Sequence, residues 1–423
     1  MTGSEVASPA PRPVDAAAAG RDLRGTLARL LPDALLSTVL RWALRGLAAS
    51  VPVSIAASGI AFGLALAAWL ARVALHGGPR WPSTIADRPF LAFLGCGVLA
   101  AIAGLDAGTA LWSLRGYAQI LVFYVVVANV RDDNERHRLA WIVSIALFLW
   151  GWHRVYDYRW QNFLHGVGPG KMTQASQLAI GVVLLQALWL ATRGAGKRIA
   201  VAFAYGMQLA GLVCTFKRGA WVGAIAGLTT QLWFRNRKLV LVPLAIAAVV
   251  GLGYGPARLR LIESGDDFVH PDNRLRMWTI GAQLIRDYPL GIGTHNGTIM
   301  KRADLWGTDA PKHRHFHSNF ITVWVEDGIL GLIAFGFWLV AIARMLVARV
   351  VATRDGPPRE AALAMGAATA FLAWNLNGIV EFNFGDAEVM MLLYLVLGLA
   401  LAPQVPSAAG EAELNRLDAE ETP

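Results

Sequence analysis

Long apolar stretches recur along the whole chain and constrain its fold more than any other feature. A helix that crosses a bilayer needs about 20 predominantly apolar residues, and inside the bilayer only helices and closed barrels satisfy their own backbone groups. The composition agrees, because 55% of the 423 residues are hydrophobic and only 16% are charged, against about 25% in soluble domains. We therefore predict an all-α polytopic membrane protein with about twelve spans.

The predicted spans follow the apolar stretches, with limits that carry errors of a few residues. Arg41 and Arg45 fall inside the first stretch, where a charge at depth is costly, so a later start of that helix is the alternative. The spans cover residues 34–53, 55–75, 89–105, 113–130, 138–153, 173–191, 199–216, 219–234, 239–255, 319–343, 361–379 and 386–402.

Basic residues accumulate in alternate connections between these spans. Cytoplasmic loops carry the excess of Lys and Arg in membrane proteins, which explains the net charge of +9 without a nucleic-acid partner. The connections 106–112 and 380–385 hold no Lys or Arg and are expected outside. The inner connections contain Arg80 and Arg88; Arg131, Arg136 and Arg138; Arg193, Lys197 and Arg198; Arg235, Arg237 and Lys238; and Arg344, Arg349, Arg354 and Arg359.

One long polar segment separates the ninth and tenth spans. It lies outside in this topology, which in a Gram-negative bacterium is the periplasm, and we expect short amphipathic helices within it. The chain then divides into a disordered cytoplasmic tail (1–33), helices 1–9 (34–255), the periplasmic loop (256–318), helices 10–12 (319–402) and a second cytoplasmic tail (403–423).

A helix is predicted in the polar segment after Asp272 or Asn273, either of which suits an N-cap. Pro289 ends it. With its apolar face on the membrane surface, it would place a Trp ring at headgroup level. The apolar residues that recur at helical spacing are Leu275, Trp278, Ala282 and Ile285.

Arg274 and Arg276 lie in the first turn of this predicted helix. The backbone N–H groups of a first turn have no intrahelical partner and already favour an anion. Arg274 is therefore a candidate ligand for a negatively charged substrate, and Arg276 is a weaker candidate for the same role. The alternative is that both arginines belong to the solvated face of the helix.

Lys217 and Arg218 occupy a turn between two apolar stretches that is too short to form a free loop. One interpretation is an ordinary turn whose charges reach the membrane surface. The other is phosphate binding, because a guanidinium presents a planar pair of donors to phosphate oxygens. The turn falls on the predicted outer side, where short loops of membrane proteins carry few Lys and Arg residues. Two cations there favour a binding role.

Three histidines, His313, His315 and His317, alternate at the end of the polar segment. No Cys or acidic ligand lies within the run and two cations flank it, so we expect no metal and no cofactor. His313 and His315 are expected in a solvated loop. His317 lies where the chain re-enters the membrane, and an imidazole there can act as a general base near neutral pH.

The remaining charged residues are weaker candidates. Arg115, Arg154 and Arg159 lie near the outer side, where they either bind an anionic lipid substrate or extend to the interface. Acidic residues near that side are expected to pair with arginines and orient helices. These residues are Glu326, Asp327, Glu381 and Asp386.

Five short motifs follow one another over residues 210–335. They are the turn Arg218–Trp221, Arg274-x-x-x-Trp278, Asp287–Gly293, His317–Phe320 and Glu326–Leu332. Each motif is weak alone. Their order and spacing together resemble the O-antigen ligase and polymerase superfamily of bacterial envelope glycosyltransferases.

The resemblance implies a GT-C-like glycosyltransferase of the inner membrane with its active site facing the periplasm. The donor would be O-antigen on undecaprenyl pyrophosphate and the acceptor lipid A–core, which gives complete lipopolysaccharide. The family's essential arginines match Arg218 and Arg274, and its loop histidine matches His317. Lys217 replaces a frequent Ser and adds a cation. We expect an inverting, metal-independent reaction, since transfer is a single displacement and the outer segment lacks a compact carboxylate cluster.

Three other activities stay open. An O-antigen polymerase uses the same donor, and protein O-oligosaccharyltransferases form a further branch of the superfamily. A transporter or flippase for lipid-linked glycans is the alternative from another class. Transporters are expected to have discontinuous helices and charges near the bilayer midplane, whereas these charges gather at the outer face, which favours an enzyme.

Overall fold

The computed structural model describes residues 24–164, 172–263, 274–296 and 315–402, and this part of the chain contains helices and turns but no strand. The predicted all-helical class is therefore confirmed. Most of the first predicted tail and all of the second lie outside the described residues, as do His313 and the two candidate N-caps Asp272 and Asn273.

The helices before Arg218 follow the predicted apolar stretches. After a helical stretch at 24–30, they are α1 (Asp33–Ser50), α2 (Ile55–His76), α3 (Asp87–Ala103), α4 (Ala107–Ser113), α5 (Leu121–Asn129), α6 (Asp133–Leu164), α7 (Met172–Ala191) and α8 (Ala195–Val213). A 3₁₀ segment, Leu114–Ile120, joins α4 to α5, so this region forms one continuous unit.

The later helices include the two short ones expected in the polar segment. They are α9 (Arg218–Arg235), α10 (Leu241–Gly253), α11 (Gly255–Ile262), α12 (Arg274–Asp287), α13 (Asn319–Thr353), α14 (Pro358–Val380) and α15 (Ala387–Leu401). α11 is bent by 89° from the helical segment Arg237–Gly253. α12 ends just before Tyr288 and Pro289, as predicted.

Six helices of the described chain are long and apolar enough to cross a membrane, or seven if the bent pair counts as one span. They are Ile55–His76, Ala107–Asn129, Asp133–Arg159, Met172–Ala191, Asn319–Thr353 and Pro358–Val380. Each predicted span overlaps a helix, but the predicted count of twelve is not confirmed. Some helices are short, such as α15 with 15 residues. The structure supports a multi-pass membrane protein.

Arg45 places a positive charge within the apolar helix α1, where a partner from another helix neutralises it. The helix begins at Asp33, so the later start is not observed. The Nε and Nη2 atoms of Arg45 donate to the two carboxylate oxygens of Glu135 in α6, both at 2.8 Å. Arg45 also lies over the ring of Trp42. Pairing within the protein therefore lowers the cost of this charge.

The core of the bundle lies around α7 and α15, whose central residues are buried on all sides. Trp338 of α13 and Trp374 of α14 are also buried and pack against Phe384. Phe384 belongs to the connection between α14 and α15. This connection is therefore anchored in the core, and it carries Glu381 next to the end of α14.

α9 packs closely on α14 because small residues face that helix. Gly219, Gly223 and Gly227 recur every four residues and so share one side of α9. A Cβ atom on Gly223 would overlap the carbonyl oxygen of Ala373 in α14. The close approach brings Arg218, the first residue of α9, beside the last turn of α14.

α13 is broken at Gly328, which has φ +73° and ψ −179°. Residues with a Cβ atom rarely adopt this conformation. The segment before α13 fills the break: the N–H groups of Ile292 and Gly293 donate to the carbonyl oxygens of Val325 and Glu326, both at 2.9 Å. The break is thus closed by backbone hydrogen bonds inside the protein.

We expect Gly328→Ala to destabilise the protein by about 1–3 kcal/mol or more, since a strained backbone conformation costs about that much. The new Cβ atom would also lie 2.6 Å from the carbonyl carbon of Leu290. Gly336→Ala in the same helix is the matched control, because nothing lies within 4 Å of its Cβ position. Melting temperatures in detergent measure the difference, and equal values would contradict the role given to Gly328.

Candidate active site

A cavity of about 430 Å³ opens where the predicted site residues meet. Lys217, Arg218, Arg274 and His317 all line it. They come from the start of α9, the start of α12 and the residues just before α13, and the end of α14 closes the cavity. These elements are distant in the sequence, so the fold itself assembles the site.

The turn before α9 holds Arg218 in place. Phe216 adopts φ +54° in this turn. Arg154 of α6 supports the turn, since its Nε and Nη2 atoms donate to the Cys214 carbonyl oxygen at 3.0 and 2.8 Å. Nη1 of Arg218 donates to the carbonyl oxygen of Arg260 in α11 at 2.9 Å. Contacts from α6 and α11 therefore fix the turn and its guanidinium.

Arg274 is the first residue of α12 and reaches the end of α14. Its Nε atom donates to the Val380 carbonyl oxygen at 3.1 Å, and its Nη2 atom pairs with Oε1 of Glu381 at 2.8 Å. The Glu381 side chain is only 4% exposed, so this ion pair is largely desolvated. One turn later, Nε1 of Trp278 donates to the Phe316 carbonyl oxygen at 2.9 Å, which joins α12 to the loop before α13.

His317 completes the same cluster. Its Nδ1 atom lies 3.2 Å from Oε2 of Glu381, so one carboxylate contacts both the imidazole and the guanidinium of Arg274. An ionised carboxylate only accepts hydrogen bonds, which places a proton on Nδ1 and leaves Nε2 as the basic nitrogen. His317 has φ +47°, and backbone strain of this kind clusters at functional sites.

Asn319 ties the start of α13 to the connection that carries Glu381. Its Oδ1 atom accepts from the N–H groups of Asn383 and Phe384 at 2.9 and 3.0 Å. Its Nδ2 atom donates to Oδ1 of Asn383 at 2.6 Å. Because Asn319 follows His317 by two positions, these bonds fix the position of the His317 imidazole relative to the Glu381 carboxylate.

Among the described residues that line the cavity, cationic side chains outnumber acidic ones four to one. The cations are Lys217, Arg218, Arg260 and Arg274, and the acid is Glu381. Apolar side chains cover much of the remaining wall, namely Met172, Phe216, Val222, Leu376, Ile379 and Val380. A cationic cavity with apolar walls suits an anionic, amphipathic ligand, and guanidinium groups favour phosphate oxygens among anions.

The segment that holds the two arginines and the histidine can be compared with known families. Residues 202–336 match the O-antigen ligase family. The resemblance inferred from the motifs is thereby confirmed, and the family implies a glycosyltransferase-like membrane enzyme of O-antigen processing. Glu381 lies outside the matched residues. A comparison with curated proteins found no match.

Four further arginines predicted for substrate binding do not line the cavity. Arg276 lies on the exposed side of α12, and Arg159 is exposed at the far end of α6. Arg115 is exposed and stacks over Trp112, with 4.0 Å between its Cζ atom and the ring centroid. Arg154 is 3% exposed and supports the turn from inside the protein.

The other histidines that the structure describes do not line the cavity. His315 is half-buried rather than solvated, and its ring packs at 4.5 Å from the ring of His317. His313 lies outside the described residues. His295 has φ +63°; burial lowers its pKa, and the charge of Arg115 lowers it further.

Two of the acidic residues that were predicted near the outer side, Glu381 and Asp386, have different partners. Glu381 pairs with Arg274, as predicted. Asp386 instead accepts a hydrogen bond from the Thr173 hydroxyl at 2.9 Å. Sequence reasoning placed Glu381 near an outer turn but gave it no part in the site, because its contact with the histidine is not visible in any local motif.

The prediction that Glu326 and Asp327 pair with arginines is wrong for the part of the chain that the structure describes. Asp327 accepts from the hydroxyl groups of Tyr117 and Thr294 at 3.1 and 3.2 Å. Both acids line a second, small cavity of about 40 Å³ at the break in α13. Hydroxyl groups are therefore the partners of Asp327, whereas Oε1 of Glu326 is buried without a hydrogen-bond partner among the described residues.

Proposed function

We propose that this protein is an O-antigen ligase. It would transfer O-antigen polysaccharide from undecaprenyl pyrophosphate to lipid A–core at the periplasmic face of the inner membrane, with inversion and without a metal ion. The observation that carries the proposal is the convergence of Arg218, Arg274 and His317 on one cationic cavity within the segment that matches the family. The cations suit a pyrophosphate, and the apolar wall suits a polyprenyl chain.

In the proposed reaction, Nε2 of His317 accepts the proton of the acceptor hydroxyl as that oxygen attacks the anomeric carbon of the donor. The bond from this carbon to the phosphate oxygen breaks, and its electron pair leaves with the pyrophosphate. Arg218 and Arg274 stabilise the charge that develops there. Glu381 orients the imidazole and stabilises the imidazolium. Attack opposite the leaving group inverts the anomeric centre, so an α-linked donor gives a β-linked product.

Deleting the gene and separating lipopolysaccharide on a gel distinguishes the ligase from a polymerase. Both enzymes use the same donor, but they act at different steps. Loss of all long bands, with accumulation of lipid-linked polymer, is the result expected for a ligase. A band with a single repeat unit on the core would identify a polymerase instead.

The break in α13 at Gly328 is a feature that transporters also have. Two observations favour an enzyme. The backbone at the break is bonded to a neighbouring segment, and the cavity beside it has only about 40 Å³, which is far below the volume of a small-molecule site. Purified protein that moved the donor across vesicles without forming product would support the transporter.

The proposed orientation predicts the result of reporter fusions. A periplasm-only reporter fused near Gly307 should be active, and one fused near Gly196 should be silent. The physical reason is the concentration of Lys and Arg in alternate connections, which stay in the cytoplasm. Enzymatic activity of the reporter in intact cells measures this. The opposite pattern would place the active site in the cytoplasm.

We expect transfer activity to survive EDTA. Among the described residues, no group of three or more His, Cys, Asp or Glu side chains is placed to hold a metal ion. Arg218 and Arg274 would neutralise the pyrophosphate in place of a divalent cation. The measurement is product formation by purified enzyme after dialysis against EDTA. Abolished activity that magnesium or manganese restores would contradict the metal-independent mechanism.

A further inference from the structure

A second large cavity, of about 720 Å³, lies at the opposite ends of the helices that build the active site. We call it the distal cavity. α9 runs from Arg218 at the active site to Arg235 at the distal cavity, and α14 runs from Pro358 at the distal cavity back to Val380. At 1.5 Å per residue, helices of 18 and 23 residues are about 27 and 34 Å long.

These lengths compare with about 30 Å for the hydrocarbon core of a bilayer. If the active site lies at one membrane surface, the distal cavity therefore lies at the other. A cavity at that depth faces lipid headgroups and the first part of the acyl chains. Its ligand must accordingly be sought among molecules present at a membrane surface.

In the part of the chain that the structure describes, three arginines and no acidic residue line the distal cavity. They are Arg235, Arg237 and Arg354. Nη1 of Arg235 donates to the Leu190 carbonyl oxygen at 3.5 Å, and Arg237 lies over the ring of Trp233, 5.1 Å from its centroid. Within the described chain, none of the three arginines forms an ion pair. Their charges therefore add to a positive potential at this site.

Glu360, in the first turn of α14, does not neutralise this potential. Its carboxylate pairs with Arg136 at 2.8 Å and with Arg349 at 2.5 Å. The side chains of these two arginines are 1% and 11% exposed, so this cluster belongs to the interior. The acid balances internal charges, and the three arginines of the distal cavity are left for an anionic ligand.

The rest of the distal cavity is apolar. Trp233 and Phe234 are 51% and 71% exposed, which is high for large apolar side chains at a charged cavity. Trp is enriched at membrane interfaces, where its ring lies at headgroup level. Aliphatic side chains form much of the remaining wall, namely Ala187, Leu190, Ala191, Val350, Val351 and Met365. An inorganic anion would leave this apolar wall uncovered.

We propose that the distal cavity binds an anionic phospholipid. The phosphate group contacts Arg235, Arg237 and Arg354, and the upper parts of the acyl chains cover the apolar wall. Basic pockets between transmembrane helices recognise anionic headgroups in this way. The site is separate from the transfer chemistry, so it does not depend on the proposed ligase activity.

Lipid titration of the purified full-length protein in detergent tests the proposal, with native mass spectrometry to count bound lipid. The probes are phosphatidylglycerol, phosphatidylcholine and inorganic phosphate. Phosphatidylglycerol should bind most tightly to the wild type. The variant R235Q/R237Q/R354Q should bind it about 10²-fold more weakly, since each basic side chain near a membrane surface contributes about a fivefold factor.

The matched control is R193Q/K197Q/R344Q, which removes three charges from exposed positions outside the distal cavity and should bind like the wild type. R354Q alone, with an expected loss of about fivefold, replaces the triple variant if that variant fails to fold. Equal losses in the control, or equal binding of phosphatidylcholine by the wild type, would overturn the proposal. Displacement of the lipid by an equal concentration of inorganic phosphate would overturn it as well.

Discussion

Alanine at Arg218 or at Arg274 is expected to slow glycan transfer about 10²-fold or more, because each removes a fixed positive charge from the leaving pyrophosphate. Both side chains line the cationic cavity. The walls of that cavity are partly apolar, so charge is screened less than in water. Transfer from lipid-linked donor to lipid A–core by purified variants measures the loss.

Lysine at both positions tests whether the guanidinium group itself matters. Lysine keeps the charge but cannot present two parallel donors to a phosphate. We therefore expect R218K/R274K to stay far below the wild type, and full activity would show that only net charge matters. Arg276→Ala is the matched control, because Arg276 lies on the exposed side of the same helix as Arg274 and should be dispensable.

Loss of Arg274 has a second consequence that the assay must separate from catalysis. It leaves the carboxylate of Glu381 buried without its ion-pair partner, and a broken buried pair is strongly destabilising. The double variant Arg274→Ala/Glu381→Gln removes this unpaired charge. We expect it to recover the melting temperature but to turn over well below Glu381→Gln alone, and that additional loss is assigned to the missing guanidinium.

Arg218, Arg274 and His317 could be named as candidates from the sequence because each is unusual in its local context. Arg218 is a cation in a short turn on the expected outer side, Arg274 opens a helix, and His317 precedes a long apolar stretch. None of these signals depends on a distant residue. The structure adds that the three side chains line one cavity.

Glu381 and Asn319 were not assigned to the site because their roles are contacts across the sequence. Glu381 lies 107 positions from Arg274 and 64 from His317. Asn319 bonds to Asn383, also 64 positions away. Composition and helical spacing contain no information on such pairings, so only the folded chain reveals them.

The face of α12 and the number of spans were predicted less well, for related reasons. Leu275 was expected on the apolar face but is 57% exposed, whereas Met277, Ile280 and Leu284 are buried. Apolar residues occupy more than one side of α12, so periodicity alone does not select the packed side. Apolar stretches predict helices reliably. A short apolar helix such as α15 does not by itself establish that the chain crosses the membrane there.

His317→Asn is expected to abolish most transfer while leaving the protein folded, because it removes the proposed base and preserves the backbone. His317 has φ +47°, a region that Asn adopts more readily than most residues. The Asn amide can also donate to Glu381. It cannot accept a proton as imidazole does, and a general base contributes about 10²–10⁴-fold in rate. Turnover across pH, with melting temperature as the folding check, measures the effect.

Three further variants complete the test of the base. His315→Ala and His313→Ala should retain most activity, since His315 packs beside the ring of His317 without lining the cavity. Glu381→Gln should lower kcat less than His317→Asn does and leave KM for the donor nearly unchanged, because Gln still offers an acceptor to Nδ1 but loses the charge that stabilises the imidazolium. Near-wild-type turnover of His317→Asn, or an inactive His315→Ala beside an active His317→Asn, would rule out His317 as the base.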